Sequence, residues 1–141
     1  MKGEKISFEC RNRLSDLDKV QSHVQKIGKS LHLSKENIFQ ISLAVEEVVS
    51  NIISHGYSDR ADHWIKITIS HQNGTLIFRI EDDGIPFNPC EAEMPDLESP
   101  LEERKIGGLG CHIMRCLMDG VDYQRRGSKN ILTMKKVIDG A

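Results

Sequence analysis

Trp64-Ile65-Lys66-Ile67-Thr68-Ile69-Ser70, the turn Asn73-Gly74, and then Leu76-Ile77-Phe78-Arg79-Ile80-Glu81-Asp82-Asp83-Gly84 decide the fold. In the first arm Ile65, Ile67 and Ile69 fall on one side, and Trp64, Lys66, Thr68 and Ser70 on the other. That period of two marks a half-buried strand. Asn-Gly between two such arms is the strongest short hairpin signal, because both positions tolerate the positive φ of a tight turn. Leu76, Phe78 and Ile80 continue the inward row, which ends at Asp82-Asp83-Gly84. An antiparallel hairpin therefore anchors the chain's centre.

Upstream, Lys5 to Cys10 alternates through Ile6, Phe8 and Cys10 and predicts another strand. Ser15 or Asp16 can cap a following helix, with Leu17, Val20, Val24, Ile27 and Leu31 at helical spacing. Ser34 opens a second helix whose stripe is Ile38, Ile41, Val45, Val48, Ile52 and Ile53, and which stops at Gly56. Downstream, residues 86–105 lose all periodicity and carry Pro86, Pro89, Pro95 and Pro100, so a long irregular loop is expected. Such loops in compact domains are often functional lids. Gly107-Gly108-Leu109-Gly110 then opens a third helix, and residues 121–125 and 131–137 form a last hairpin around Gly127-Ser128. Strand runs interrupted by helices predict an α+β two-layer sandwich, its sheet mixed but largely antiparallel, with helices on one face.

The 141 residues suit one domain, and 38% apolar with 28% charged residues is ordinary for a soluble globular protein. The stretch Ile41-Ser42-Leu43-Ala44-Val45 falls far short of the roughly 20 residues a membrane-spanning helix needs. Met1 to Lys5 is followed by no apolar signal region, so a cytoplasmic location is expected. Cys10, Cys90, Cys111 and Cys116 are scattered without metal-ligand spacing, as befits reduced thiols. A net charge of −2 argues against direct nucleic-acid binding, and the basic run Arg125-Arg126-Gly127-Ser128-Lys129 has no interleaved aromatics to stack on bases.

Three motifs carry chemistry. Glu47 and Asn51 stand four residues apart on the second helix and so point the same way, offering hard oxygens suited to magnesium. Alone, such a pair is most often a solvated face. Asp82-Asp83-Gly84 follows a strand, where a carboxylate can accept from an exocyclic amine and a glycine permits flat ligand approach; alone, it is ordinary turn chemistry. Gly107-Gly108-Leu109-Gly110 opening a helix can present backbone N–H groups to an anion. No Gly-Lys-Ser/Thr follows, so it is not a Walker A loop.

Their order along the chain resembles the ATP-binding module shared by gyrase-type topoisomerases, heat-shock chaperones, histidine kinases and mismatch-repair ATPases. Ala44-Val45-Glu46-Glu47-Val48-Val49-Ser50-Asn51 with His55-Gly56-Tyr57, and Gly107-Gly108-Leu109-Gly110 with Leu117-Met118-Asp119 and Val121-Asp122-Tyr123, are most similar to the bacterial anti-sigma-factor serine kinases. The resemblance implies a single histidine kinase-like ATPase domain over residues 1–141 with a Bergerat-type fold and a lid at about 88–106. It implies ATP and Mg2+ as cofactors, with Asn51 on the metal, Asp82 accepting from adenine, Gly84 letting the base lie close, and Gly108 and Gly110 on the phosphates. Arg104 or Lys105 would reach the terminal phosphate, Thr133 would support adenine through water, and Glu47 would be the general base. Glu46, about 100° away around the helix, would face elsewhere.

The implied activity is phosphorylation of serine or threonine on a small anti-anti-sigma-like partner, with a sigma factor as competing ligand; a homodimer is compatible with the resemblance, and the first strand offers an edge for such a contact. The alternative is a nucleotide-gated module that sequesters a partner without transferring phosphate.

Overall fold

The computed structural model describes residues 4–59, 61–87 and 114–138. Five strands are laid out in the order β1-β2-β3-β5-β4: β1 Glu4–Arg11, β2 Trp64–Gln72, β3 Thr75–Asp82, β4 Gly120–Arg126 and β5 Lys129–Val137. Every pairing among them is antiparallel. The central hairpin closes as its sequence predicts: Asn73 at φ 52° and Gly74 at φ 76° give the doubly left-handed turn whose twist matches the flanking strands.

The register sets one row of inward side chains across the sheet. Cys10 pairs with Ile65, Phe8 with Ile67 and Ile6 with Ile69. Ile67 pairs with Ile80 and Ile69 with Phe78. Phe78 then faces Met134, Ile80 faces Leu132, and Asp82 faces Asn130. Against this row pack α1 (Leu17–Ser30) through Val20, Val24 and Ile27, and α2 (Lys35–His55) through Ile41, Ala44, Val45, Val48 and Val49. Residues 114–117 are helical, and Met114 and Met118 join the same core. The other face carries polar side chains such as Ser7, Glu9, Lys66 and Arg79 and stays exposed. The result is a two-layer α+β sandwich with the helices on one face.

Helix ends follow local chemistry. Ser34 Oγ accepts from Asn37 N at 3.0 Å and caps α2 as expected. Asp16 precedes α1 but does not cap it with its side chain. A 3-10 turn at Leu14–Asp16 leads into the helix, holding Asp16 at helical φ and ψ, and its carboxylate instead takes Arg11 N at 2.8 Å. Burial pushes the Cys10 thiol up to about 11, so this cysteine is inert core. The predicted lid at 88–106 and the glycine-led helix start at 107–110 lie outside the described residues.

Candidate functional site

The inward row ends on polar residues. Asp82 is 5% exposed and Asn130, directly across on β5, is 6% exposed. Asp82 Oδ1 accepts from Gly84 N at 2.8 Å and from Asn130 Nδ2 at 3.0 Å. Asn130 Nδ2 also donates to Ile85 O at 2.8 Å, while its Oδ1 accepts from Tyr123 OH and, at 3.4 Å, from Phe87 N. All four hydrogen-bonding positions of the amide are thus used, and its orientation is fixed by a carbonyl on one side and an N–H on the other. Burial raises the Asp82 pKa above the usual carboxylate value, opposed by the bonds from Asn130 and Gly84. Both of its described donors converge on Oδ1, so Oδ2 is the oxygen left to meet an outside donor.

Gly84 turns out to be needed by the protein itself. A Cβ there would stand 2.3 Å from Gly56 O and 2.9 Å from Asp82 Oδ1. Ile85 N donates to the same Gly56 carbonyl at 2.7 Å, and Arg125 Nη1 donates to Gly84 O at 2.8 Å. The turn after β3 is thereby fastened to the C-terminal end of α2. Beside it, the Tyr57 phenol is buried without a described hydrogen-bond partner. Burial, then the charges of Asp82 and Asp83, raise its pKa. Ile85 and Phe87, at the start of the segment that follows, are half exposed and flank the same turn.

Glu47 and Asn51 lie on α2 upstream of that junction. Asn51 precedes Gly56 by about 7 Å of helix rise and Glu47 by about 13 Å, at 1.5 Å per residue. Both are half-buried, which a purely solvated face would not give, whereas His55 is exposed. Glu46 is half-buried as well, so burial alone does not separate the two carboxylates. Ser50 Oγ donates to Glu47 O at 3.3 Å. Among the described residues no cluster of three His, Cys, Asp or Glu can cage a metal. That donor set fits magnesium, which keeps its waters and takes one or two protein oxygens beside phosphate ligands.

Of the residues singled out from the sequence, Asp82, Gly84, Glu47 and Asn51 are brought to α2 and the end of β3. Arg104, Lys105, Gly108 and Gly110 lie outside the described residues. Thr133 pairs with Arg79 and Asp122, one step out of phase with Asn130 and Leu132. Alternation along β5 sets it on the exposed sheet face, away from Asp82. The β5 residue that does reach Asp82 is Asn130. Sequence reasoning missed it, although counting in twos from Leu132 and Met134 would have found it.

Comparison with known proteins bears on family and fold. Residues 10–136 match the family model described as histidine kinase-like ATPase domain. The chain is similar to the serine/threonine-protein kinase BtrW of Bordetella bronchiseptica, 31% identical over 96 residues and 68% of each chain. It is similar to the anti-sigma F factor of Clostridium novyi, 27% identical over 97% of both chains. Among solved structures, the RsbU and RsbW domains of Rv1364c from Mycobacterium tuberculosis superpose with a TM-score of 0.66 at 11% identity. That match covers 96% of this chain and 32% of the solved one, and it bears on fold alone.

Proposed function

This chain belongs to the histidine kinase-like ATPase domain family, and from that premise we propose that it is a Mg-ATP-dependent serine/threonine protein kinase serving as an anti-sigma-type switch. Its substrate is a small anti-anti-sigma-like protein, and a sigma factor competes for the same regulator. The similarity to BtrW and to an anti-sigma F factor supports this activity and these partners. No described helix is long and apolar enough to cross a membrane, in keeping with action in the cytoplasm.

One observation carries the nucleotide reading: a carboxylate buried at a strand end, Asp82, takes both of its donors among the described residues on Oδ1. The adenine amino group donates to Oδ2. Asn130 keeps Asp82 in place from behind. Asn51 would hold a magnesium ion through its amide oxygen, and the metal would supply charge neutralisation at the phosphates. Glu47, one turn away on α2, accepts the proton of the incoming hydroxyl and orients it for in-line attack. The resemblance assigns residues 88–106 to a lid, Arg104 or Lys105 to the terminal phosphate and Gly108 and Gly110 to the other phosphates, all of them outside the described residues.

Calorimetry of ATP binding with and without magnesium tests this on the wild type, Asp82→Asn and Glu47→Ala. Saturable, magnesium-dependent binding is expected, abolished in Asp82→Asn and retained in Glu47→Ala. Labelled phosphate is expected on a partner serine or threonine with wild type and not with Glu47→Ala. Partner capture without label would replace the kinase by a nucleotide-gated binding module.

A further inference from the structure

His63, just before β2, has no part in the nucleotide reading, yet both its ring nitrogens are taken. Nδ1 lies 3.1 and 3.2 Å from the two carboxylate oxygens of Asp83, and Nε2 lies 2.8 Å from Asp59 Oδ1. The ring stacks on Tyr57 at a centroid distance of 4.2 Å. The His63 backbone is pinned as well, its N donating to Asn12 Oδ1 at 2.9 Å and its carbonyl accepting from Asn12 N at 3.1 Å. Ionised carboxylates only accept, and a neutral imidazole has one N–H, so only the imidazolium can donate to both. The neutral ring would turn a lone pair onto one carboxylate.

Asp83 stands between Asp82 and Gly84, and Asp59 lies in the connection that leaves α2. We propose that His63 is a positioning residue for the nucleotide site: its imidazolium clasps Asp83 to Asp59 and holds the Asp82–Gly84 turn against the end of α2, so that nucleotide affinity falls as the ring loses its proton. This rests on the nucleotide-binding reading of Asp82. The carboxylates of Asp59 and Asp83 meet the ring directly, and Asp62 adds negative charge nearby. Arg13 and Arg11, the nearby cations on the β1 side, are paired with Asp62. Tyr57 covers one ring face with an uncharged phenol, and Asn12 is neutral.

The bond to Asp59, then that to Asp83, raises the His63 pKa against the opposing effect of burial. A raised folded pKa means that the clasp is complete below the ordinary imidazole range and is lost as pH rises through the higher folded value.

The test is ATP affinity from about pH 6 to about pH 9 for wild type and His63→Gln, with NMR titration of the His63 ring. The difference between the two profiles is read, because ATP's own phosphate titrates nearby. Wild type is expected to lose about fivefold in affinity over that range relative to the variant, the effect of one half-screened charge-assisted hydrogen bond. His63→Gln is expected to bind about fivefold more weakly at the acid end, and the ring to titrate above the ordinary imidazole value. Identical pH profiles, or a ring midpoint at or below the ordinary value, would overturn the proposal while leaving nucleotide binding intact. No ATP binding by wild type at any pH would overturn it together with the nucleotide reading.

Discussion

Asn130→Ala is the substitution whose cost the structure defines most closely. It removes the bond to the Asp82 carboxylate and those shared with Ile85 O and Tyr123 OH, the contact to Phe87 N at 3.4 Å counting for little. A hydrogen bond to a charged group contributes about 1.5–3 kcal/mol and a neutral one about 1 kcal/mol. The gross loss is then about 4 kcal/mol, reduced to about 3 kcal/mol because the site lies at the rim of the core and water can replace part of it. That is a large share of the roughly 5–15 kcal/mol holding a domain together. The cost also depends on pH in a defined sense. Burial raises the Asp82 pKa, and the Asn130 bond opposes that rise. A carboxyl with a raised folded pKa destabilises the fold as pH climbs from the unfolded value through the folded one. Without Asn130 the rise is larger, so the variant loses more at neutral pH than in acid. Urea unfolding of wild type and variant, followed by circular dichroism at about pH 7 and about pH 4, reads both effects. The expected penalty shrinks by about 1 kcal/mol or more at the lower pH. A penalty below about 1 kcal/mol, or one equal at both pH values, would refute the reasoning.

Two further substitutions probe the frame around the site. Gly84→Ala puts a methyl 2.3 Å from Gly56 O, so the turn must part from the end of α2. A stability loss of about 2–3 kcal/mol in denaturant is expected, with ATP binding lost too, and wild-type stability would show that the contact gives way cheaply. Ser34→Ala removes the 3.0 Å cap bond to Asn37 N and is expected to cost about 1 kcal/mol, a drop of about 4 °C in Tm by calorimetry. An unchanged Tm would mean that water caps α2 equally well.

What could be read from the sequence depended on whether the deciding interaction was local. The Asn73-Gly74 turn and the alternation of Ile65, Ile67 and Ile69 are set by neighbours along the chain, so strands, hairpin and inward row were all legible. Ser34 was legible as a cap for the same reason, whereas Asp16 was not, because whether a carboxylate turns to its own helix or back to Arg11 depends on how the preceding strand arrives. Asp82 could be picked out as a strand-end carboxylate, but its partner Asn130 could not, since naming it needs the register of β5 on β3. A slip of one residue exchanges the two faces. Gly84 shows a different limit. The sequence suggested a glycine that serves the ligand, and the fold gives it a prior duty against Gly56 O, so its presence alone cannot certify a nucleotide site. His63 left only half a signature: Asp59 and Tyr57 share its connection between α2 and β2, but Asp83 reaches it from the end of β3, and only the closed sheet brings that carboxylate to the ring. The nucleotide reading therefore rests most firmly on Asp82, whose Oδ1 takes one donor from its own motif, Gly84, and one from a residue no motif contains, Asn130, while no described donor meets Oδ2.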